Sequence, residues 1–136
     1  MMSKYKSTGH SKYLVQYHMI WCPKFRFEVL TGDVEKELKD IIESIAKEYE
    51  YDIKALETMP DHIHLFVATK PTVAPTDVVR TMKSITAVRL FKEFPELKKF
   101  YSRVGSLWSE GYFVSTVGDV SEETVQKYIE NQKQDQ

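Results

Sequence analysis

Residues 51–69 read YDIKALETMPDHIHLFVAT, and this stretch predicts a β-hairpin. Residues 51–58 have the content of a strand, Pro60 and Asp61 mark a tight turn, and residues 62–69 form the returning strand. Along that second strand Ile63, Leu65 and Val67 alternate with His62 and His64, and side chains two apart share a face. The aliphatic row suits packing beneath helices. Both histidines then look out from the opposite face, roughly 7 Å apart along the chain.

Working outward, Asp33 is placed to cap a helix whose apolar positions Val34, Leu38, Ile41, Ile42, Ile45 and Tyr49 follow a 3.6-residue period. Before it, residues 12–21 predict a strand that Pro23 ends, with Lys24, Phe25, Arg26 and Phe27 opening a loop. After the hairpin, Thr76 is placed to cap a second helix running to Phe94, where Pro95 stops it. Its stripe shifts from Val78, Val79, Met82 and Ile85 to Ala87, Leu90, Phe91 and Phe94, which calls for a bend or two-sided packing. Residues 96–106 read as a basic loop and 107–116 as a strand. Gly118 breaks that strand, and Ser121 opens a last helix to about Gln132. The order strand, helix, strand, strand, helix, strand is that of a ferredoxin-like split βαβ fold of the α+β class. It puts both main helices on one face of an antiparallel sheet, with an extra C-terminal helix, in a single domain spanning residues 1–136.

The 136 residues are 42% hydrophobic and 29% charged, the balance of one compact domain with an ordinary core. One cysteine, Cys22, excludes an intramolecular disulfide framework and fits a reducing compartment. The most apolar N-terminal stretch, residues 13–21, is short and interrupted by Gln16 and His18, so neither a signal peptide nor a membrane span is expected. A cytoplasmic, soluble protein that does not engage a membrane is the expectation. The net charge of -1 argues against a protein that coats nucleic acid. Charge is nevertheless segregated. Residues 1–27 carry Lys4, Lys6, Lys12, Lys24 and Arg26 with no acid, and residues 80–103 carry seven bases against Glu93 and Glu96.

The same-side placement of His62 and His64 suits two ligands on one metal ion if a third group arrives from elsewhere. A His-x-His pair is also common as an ordinary hydrogen-bonded pair. On the last helix, Tyr128 and Gln132 are four residues apart and so share a helical face. A tyrosine hydroxyl near its usual pKa of about 10 needs a polarised phosphate or nearby cations to attack at neutral pH. Val125, Tyr128, Ile129 and Gln132 equally form a plain amphipathic stripe.

Four blocks together carry more than any of these patterns alone. Met59 through Leu65 (MPDHIHL) resembles the His-hydrophobic-His, or HUH, block of the single-tyrosine transposases of bacterial and archaeal insertion sequences. His18 through Arg26 (HMIWCPKFR) resembles that family's first strand and basic turn. Leu107 through Gly118 (LWSEGYFVSTVG) resembles its Trp-x-x-Gly-Tyr block, and Val125 through Gln132 (VQKYIENQ) its tyrosine helix. The resemblance implies a homodimeric enzyme that recognises DNA hairpins near an element's ends as single strands, and cleaves and rejoins them through a 5′ phosphotyrosine. His62, His64 and Gln132 match the family's ligands to a divalent metal, Mg2+ or Mn2+, and Tyr128 matches its nucleophile. Glu110 departs from the basic residue that many relatives carry.

Lys24 and Arg26, with Arg80, Lys83, Arg89 and Lys92 of the second helix, are the candidate phosphate contacts. Cys22 is assigned to packing. Two other readings use much the same residues. One is a domesticated relative or replication-type nickase with the same chemistry. The other is a non-catalytic single-strand binder that stacks bases on Tyr17, Trp21 and Phe66.

Overall fold

A computed structural model describes residues 15–117. Within them run β1 (Val15–Trp21), a short 3-10 turn (Lys24–Arg26), α1 (Gly32–Tyr49), β2 (Asp52–Met59), β3 (His62–Thr69), α2 (Pro75–Glu93), α3 (Pro95–Phe100) and β4 (Phe113–Val117). The strands form one four-stranded sheet in the order β2-β3-β1-β4, and every neighbouring pair is antiparallel. This is the split βαβ arrangement: β3 inserts between β1 and β2, the two strands that α1 connects. The expected C-terminal helix with Tyr128 and Gln132 lies outside the described residues.

Alternation along the two central strands divides the sheet into two faces. Register pairs Trp21 with Ile63, Met19 with Leu65 and Tyr17 with Val67, and these six side chains share one buried cluster with Leu38, Ile41, Ile42 and Ile45 of α1 and Val78, Val79, Met82 and Leu90 of α2. Both helices therefore cover this face. Truncating a residue as enclosed as Leu65 to alanine would cost about 2–5 kcal/mol. Thr58 of β2 donates a hydrogen bond to the Glu35 carboxylate, tying the edge of the sheet to the start of α1.

Several local expectations change. α1 begins at Gly32, one residue before Asp33, which sits in its first turn rather than at the cap; a carboxylate there still meets the positive end of the helix dipole. Tyr49 is exposed and stacks on Tyr51 instead of entering the core. α2 starts at Pro75 rather than behind a Thr76 cap, because proline at the first helical position presets the backbone angle and forfeits no hydrogen bond. Its stripe resolves as two-sided packing: Val78, Val79, Met82, Thr86 and Leu90 are buried, while Ala87, Phe91 and Phe94 pack against the core from the flank.

The span expected to be a basic loop contains α3, again opened by a proline and anchored by buried Leu97. Residues 107–112 are not strand. Leu107 and Trp108 are core side chains on an irregular segment, held by an isolated bridge between Pro23 and Trp108 and by the Trp108 indole donating to the Thr86 hydroxyl at 2.9 Å. Burying that indole satisfied its one donor, and this took precedence over continuing the strand.

Candidate active site

The site begins with the turn before β3. The backbone N–H of Leu30 donates to the Pro60 carbonyl at 3.0 Å, which moors the hairpin turn to the segment leading into α1. Directly after it, His62 and His64 lie on the sheet face away from the helices, as period-two alternation requires. Their rings converge, with centroids 4.8 Å apart and planes at 73°. Contrary to the expectation that they look out to solvent, both are buried, at 5% and 1% exposure. His18 of β1 stacks on His64 at 5.5 Å and 15°, and Phe113 of β4 sets its edge against His18 at 6.2 Å.

Hydrogen bonds assign the ring nitrogens. His62 Nδ1 lies 2.7 Å from Asp61 Oδ1, and the other carboxylate oxygen of Asp61 lies 3.0 Å from the Arg26 guanidinium. Burial pushes the Asp61 carboxyl up, but the hydrogen bond from His62 and the charge of Arg26 outweigh it and hold the group below its ordinary value. An ionised carboxylate only accepts. His62 Nδ1 therefore carries a proton and donates to Asp61, which leaves Nε2 as the nitrogen that the carboxylate does not engage.

His64 is built the same way with a different acceptor. Its Nδ1 lies 3.3 Å from His18 Nε2, and its own Nε2 is buried with no hydrogen-bond partner among the described residues. A buried N–H without an acceptor is the costlier orphan, so the proton sits on Nδ1, donates to His18, and leaves Nε2 as a lone pair. Burial, then the neighbouring His62 and His18, push the His64 pKa down to about 4, and burial lowers that of His18. Both are neutral at pH 7. Two adjacent imidazoles, each with Nδ1 engaged, leave their Nε2 atoms as the donors that a metal ion with imidazole ligands requires. No group of three or more His, Cys, Asp or Glu able to hold a metal occurs among the described residues, so any third ligand has to come from another residue type or from outside them.

These histidines line a cavity of about 410 Å³ together with Cys22, Arg26, Ser109 and Tyr112. Its wall is stitched across two segments. Ser109 donates to the Cys22 carbonyl from its backbone N–H at 2.9 Å and from its hydroxyl at 3.1 Å. Cys22 thus supports the wall, and its thiol lies 3.4 Å from the Ser109 hydroxyl. Above the wall, Phe25 and Arg26 have φ of 62° and 53°, a left-handed pair that side-chain-bearing residues adopt at a cost of about 1–3 kcal/mol each. That turn directs Arg26 into the cavity and onto Asp61.

The candidate phosphate contacts do not form one surface. Lys83 lies instead against the loop, its ammonium donating to the carbonyls of Ser109 at 2.6 Å and Glu110 at 3.3 Å and standing 5.8 Å from the Tyr112 ring centroid. Arg80 lines the same groove between α2 and residues 105–112. Arg89 follows Arg80 by nine residues, half a turn around the helix at 3.6 residues per turn, so it projects from the opposite side, and Lys92 is exposed at the end of α2. Lys24 is half-buried beside the wall, its N–H bonded to the Leu107 carbonyl at 2.8 Å. The supposed stacking platforms Tyr17, Trp21 and Phe66 are all buried in the sheet, because each lies on a central strand. Sequence reasoning missed His18, Asp61 and Ser109. The one available signal was Asp61, adjacent to His62 in the turn.

Known proteins share this architecture. The family model described as "Transposase IS200 like" matches residues 11–132, a span that includes the histidine block and the segment holding Tyr128 and Gln132. The ISDra2 transposase TnpA of Deinococcus radiodurans is 40% identical over 121 residues, covering 88% of this chain and 85% of the relative. The transposase of insertion sequence element IS200 from Salmonella typhimurium is 28% identical over 131 residues, 96% of this chain and 85% of the relative. A crystal structure described as a transposase from Deinococcus radiodurans superposes with a TM-score of 0.75 at 38% identity, covering 93% of this chain and 97% of that one. A REP-associated tyrosine transposase bound to a REP hairpin shares the fold at a TM-score of 0.58 and 13% identity, covering 92% of this chain and 68% of that one. With the family match running over nearly its whole length, the chain belongs to the IS200-like transposases.

Proposed function

We propose that this chain, as a single domain acting as a homodimer, cleaves and rejoins single-stranded DNA at hairpin-bearing ends of an insertion sequence. Tyr128 is the nucleophile, and His62, His64 and Gln132 hold a divalent metal, Mg2+ or Mn2+. The observation that carries the reading is the pair of adjacent imidazoles on β3, each with Nδ1 engaged, lining one cavity. Gln132 supplies a carbonyl oxygen to the same centre. When bound, the metal withdraws charge from the scissile phosphate and stabilises the leaving 3′ oxygen. Imidazole ligands favour softer ions than magnesium, so manganese serves at least as well.

Tyr128 attacks phosphorus, the bond to the 3′ oxygen breaks, and the phenolic proton ends on the released 3′ hydroxyl. The 5′ phosphotyrosine keeps the bond energy, so a second strand's 3′ hydroxyl can reverse the step without ATP. Arg26 faces the cavity as a cation for the phosphate, while Asp61 keeps it in place.

The test is incubation of the full chain with Mn2+ and single-stranded DNA from an element's ends, followed by denaturing electrophoresis. A covalent protein–DNA adduct is expected, lost in Tyr128→Phe and in His64→Ala while DNA binding stays within a few-fold. No adduct with the unaltered chain would leave the non-catalytic binder. An adduct that survives Tyr128→Phe and disappears in Tyr112→Phe would move the nucleophile to Tyr112, the tyrosine that lines the cavity among the described residues.

A further inference from the structure

Beside the cavity three large rings face solvent where burial would be expected. Phe25 is 65% exposed, Phe100 57% and Phe27 41%. They are contiguous: Phe27 lies 5.9 Å from Phe25 and 5.1 Å from Phe100, edge to face in both cases. Single exposed apolar residues need no explanation, but a joined patch marks a contact surface. The backbone holds this one out deliberately. Phe25 and Arg26 both occupy the left-handed region, and the turn is pinned by Arg26 N–H to the Pro23 carbonyl and Lys24 N–H to the Leu107 carbonyl, each at 2.8 Å, and by Arg26 on Asp61. With these restraints, Phe25 projects outward while its neighbour Arg26 reaches the cavity that holds His62 and His64.

We infer that Phe25, Phe27 and Phe100 form a stacking ridge for unpaired bases of the DNA strand that enters the site, an inference that rests on the single-strand cleavage reading above. The charge around the rings selects this occupant. The two segments that carry them hold Lys24, Arg26, Lys98, Lys99 and Arg103 against Glu28 and Glu96, a surface that favours a polyanion. Among polyanions, only an unpaired strand offers both phosphates for the cations and open π-faces for the rings. A duplex keeps its bases stacked on one another. Because base–aromatic stacking tolerates any base, the ridge would hold the strand without specifying its sequence.

The experiment measures binding of fluorescein-labelled (dT)20, the same strand with abasic spacers in place of its bases, and a 20-base-pair duplex to the full chain by anisotropy. Phe25→Ala is expected to weaken (dT)20 about tenfold without changing the salt dependence, since no phosphate contact is removed. Phe25→Trp should restore affinity. Neither variant should alter duplex binding, and Phe25→Ala should not weaken the abasic strand further. Equal affinity of the unaltered chain for (dT)20 and the abasic strand overturns the ridge without any substitution, so the test survives even if a variant fails to fold. Unchanged (dT)20 binding in both Phe25→Ala and Phe100→Ala overturns it as well. So does a ridge-dependent association with anionic phosphatidylglycerol vesicles that leaves (dT)20 binding untouched. In each of these cases a tyrosyl adduct on element-end DNA would show that the cleavage reading still stands, whereas its absence from the unaltered chain would remove that reading itself.

Discussion

Asp61 accepts a hydrogen bond from Nδ1 of the residue that follows it, His62, at 2.7 Å, and so fixes which nitrogen of that ring is left to bind. Without the carboxylate the imidazole is free to exchange tautomers and to rotate. Asp61→Ala is therefore expected to lower Mn2+ affinity about 10–100-fold, the usual effect of losing such a partner, as read by isothermal titration calorimetry. Asp61→Asn, which keeps an acceptor oxygen without the charge, should fall between. Unchanged affinity in both would mean that His62 is oriented by packing alone.

His18 plays the corresponding part for His64 from 46 residues away, across the sheet. His18→Ala removes the acceptor for His64 Nδ1 and the ring stacked on it, so metal affinity should again fall about 10–100-fold. His18→Gln offers an amide oxygen in its place and should recover part of the loss. Equal affinity in the alanine and glutamine variants would show that the stack, rather than the hydrogen bond, matters.

Lys83→Met separates a loop support from a phosphate contact. The thioether keeps the stem's packing but gives up the bonds to the Ser109 and Glu110 carbonyls, at a cost of about 1–2 kcal/mol in stability. Hydrogen exchange should rise at residues 109–112. The slope of log affinity for DNA against log salt should stay unchanged, whereas loss of a phosphate contact would reduce it by about one.

The Tyr101 hydroxyl is buried with no hydrogen-bond partner among the described residues, and burial pushes its pKa up to about 12. The unfolded phenol ionises near its ordinary value of 10. Between pH 10 and 12 the folded chain retains a proton that the unfolded chain has lost, so this group's contribution to stability is whole below pH 10 and declines as pH rises through that window. Tyr101→Phe should flatten that decline in urea melts. At pH 7 it should match or exceed the unaltered chain by about 1 kcal/mol, because an orphaned buried hydroxyl is removed while the ring contacts remain. A clear loss at pH 7 would reveal a partner for the hydroxyl.

The hairpin of β2 and β3, helix α1 and the shared face of His62 and His64 were legible in the sequence, because period-two and period-3.6 patterns are properties of a few consecutive residues and of backbone geometry. The expectation from spacing that Tyr128 and Gln132 share a helical face lies outside the described residues. Tertiary structure decided the rest. That His18 meets His64 depends on the register of β1 against β3, which the whole sheet sets and no local window records. The burial of both histidines arises the same way, since alternation assigns a face but not what covers it. Lys83 bonds the Ser109 carbonyl across 26 residues, and residues 107–112 left the sheet, because satisfying the buried Trp108 indole through Thr86 and filling the core with Leu107 outweighed a local preference for strand. Propensity is worth tenths of a kcal/mol per residue, whereas a buried polar group without a partner costs several times more, so where the two compete the long-range contact wins.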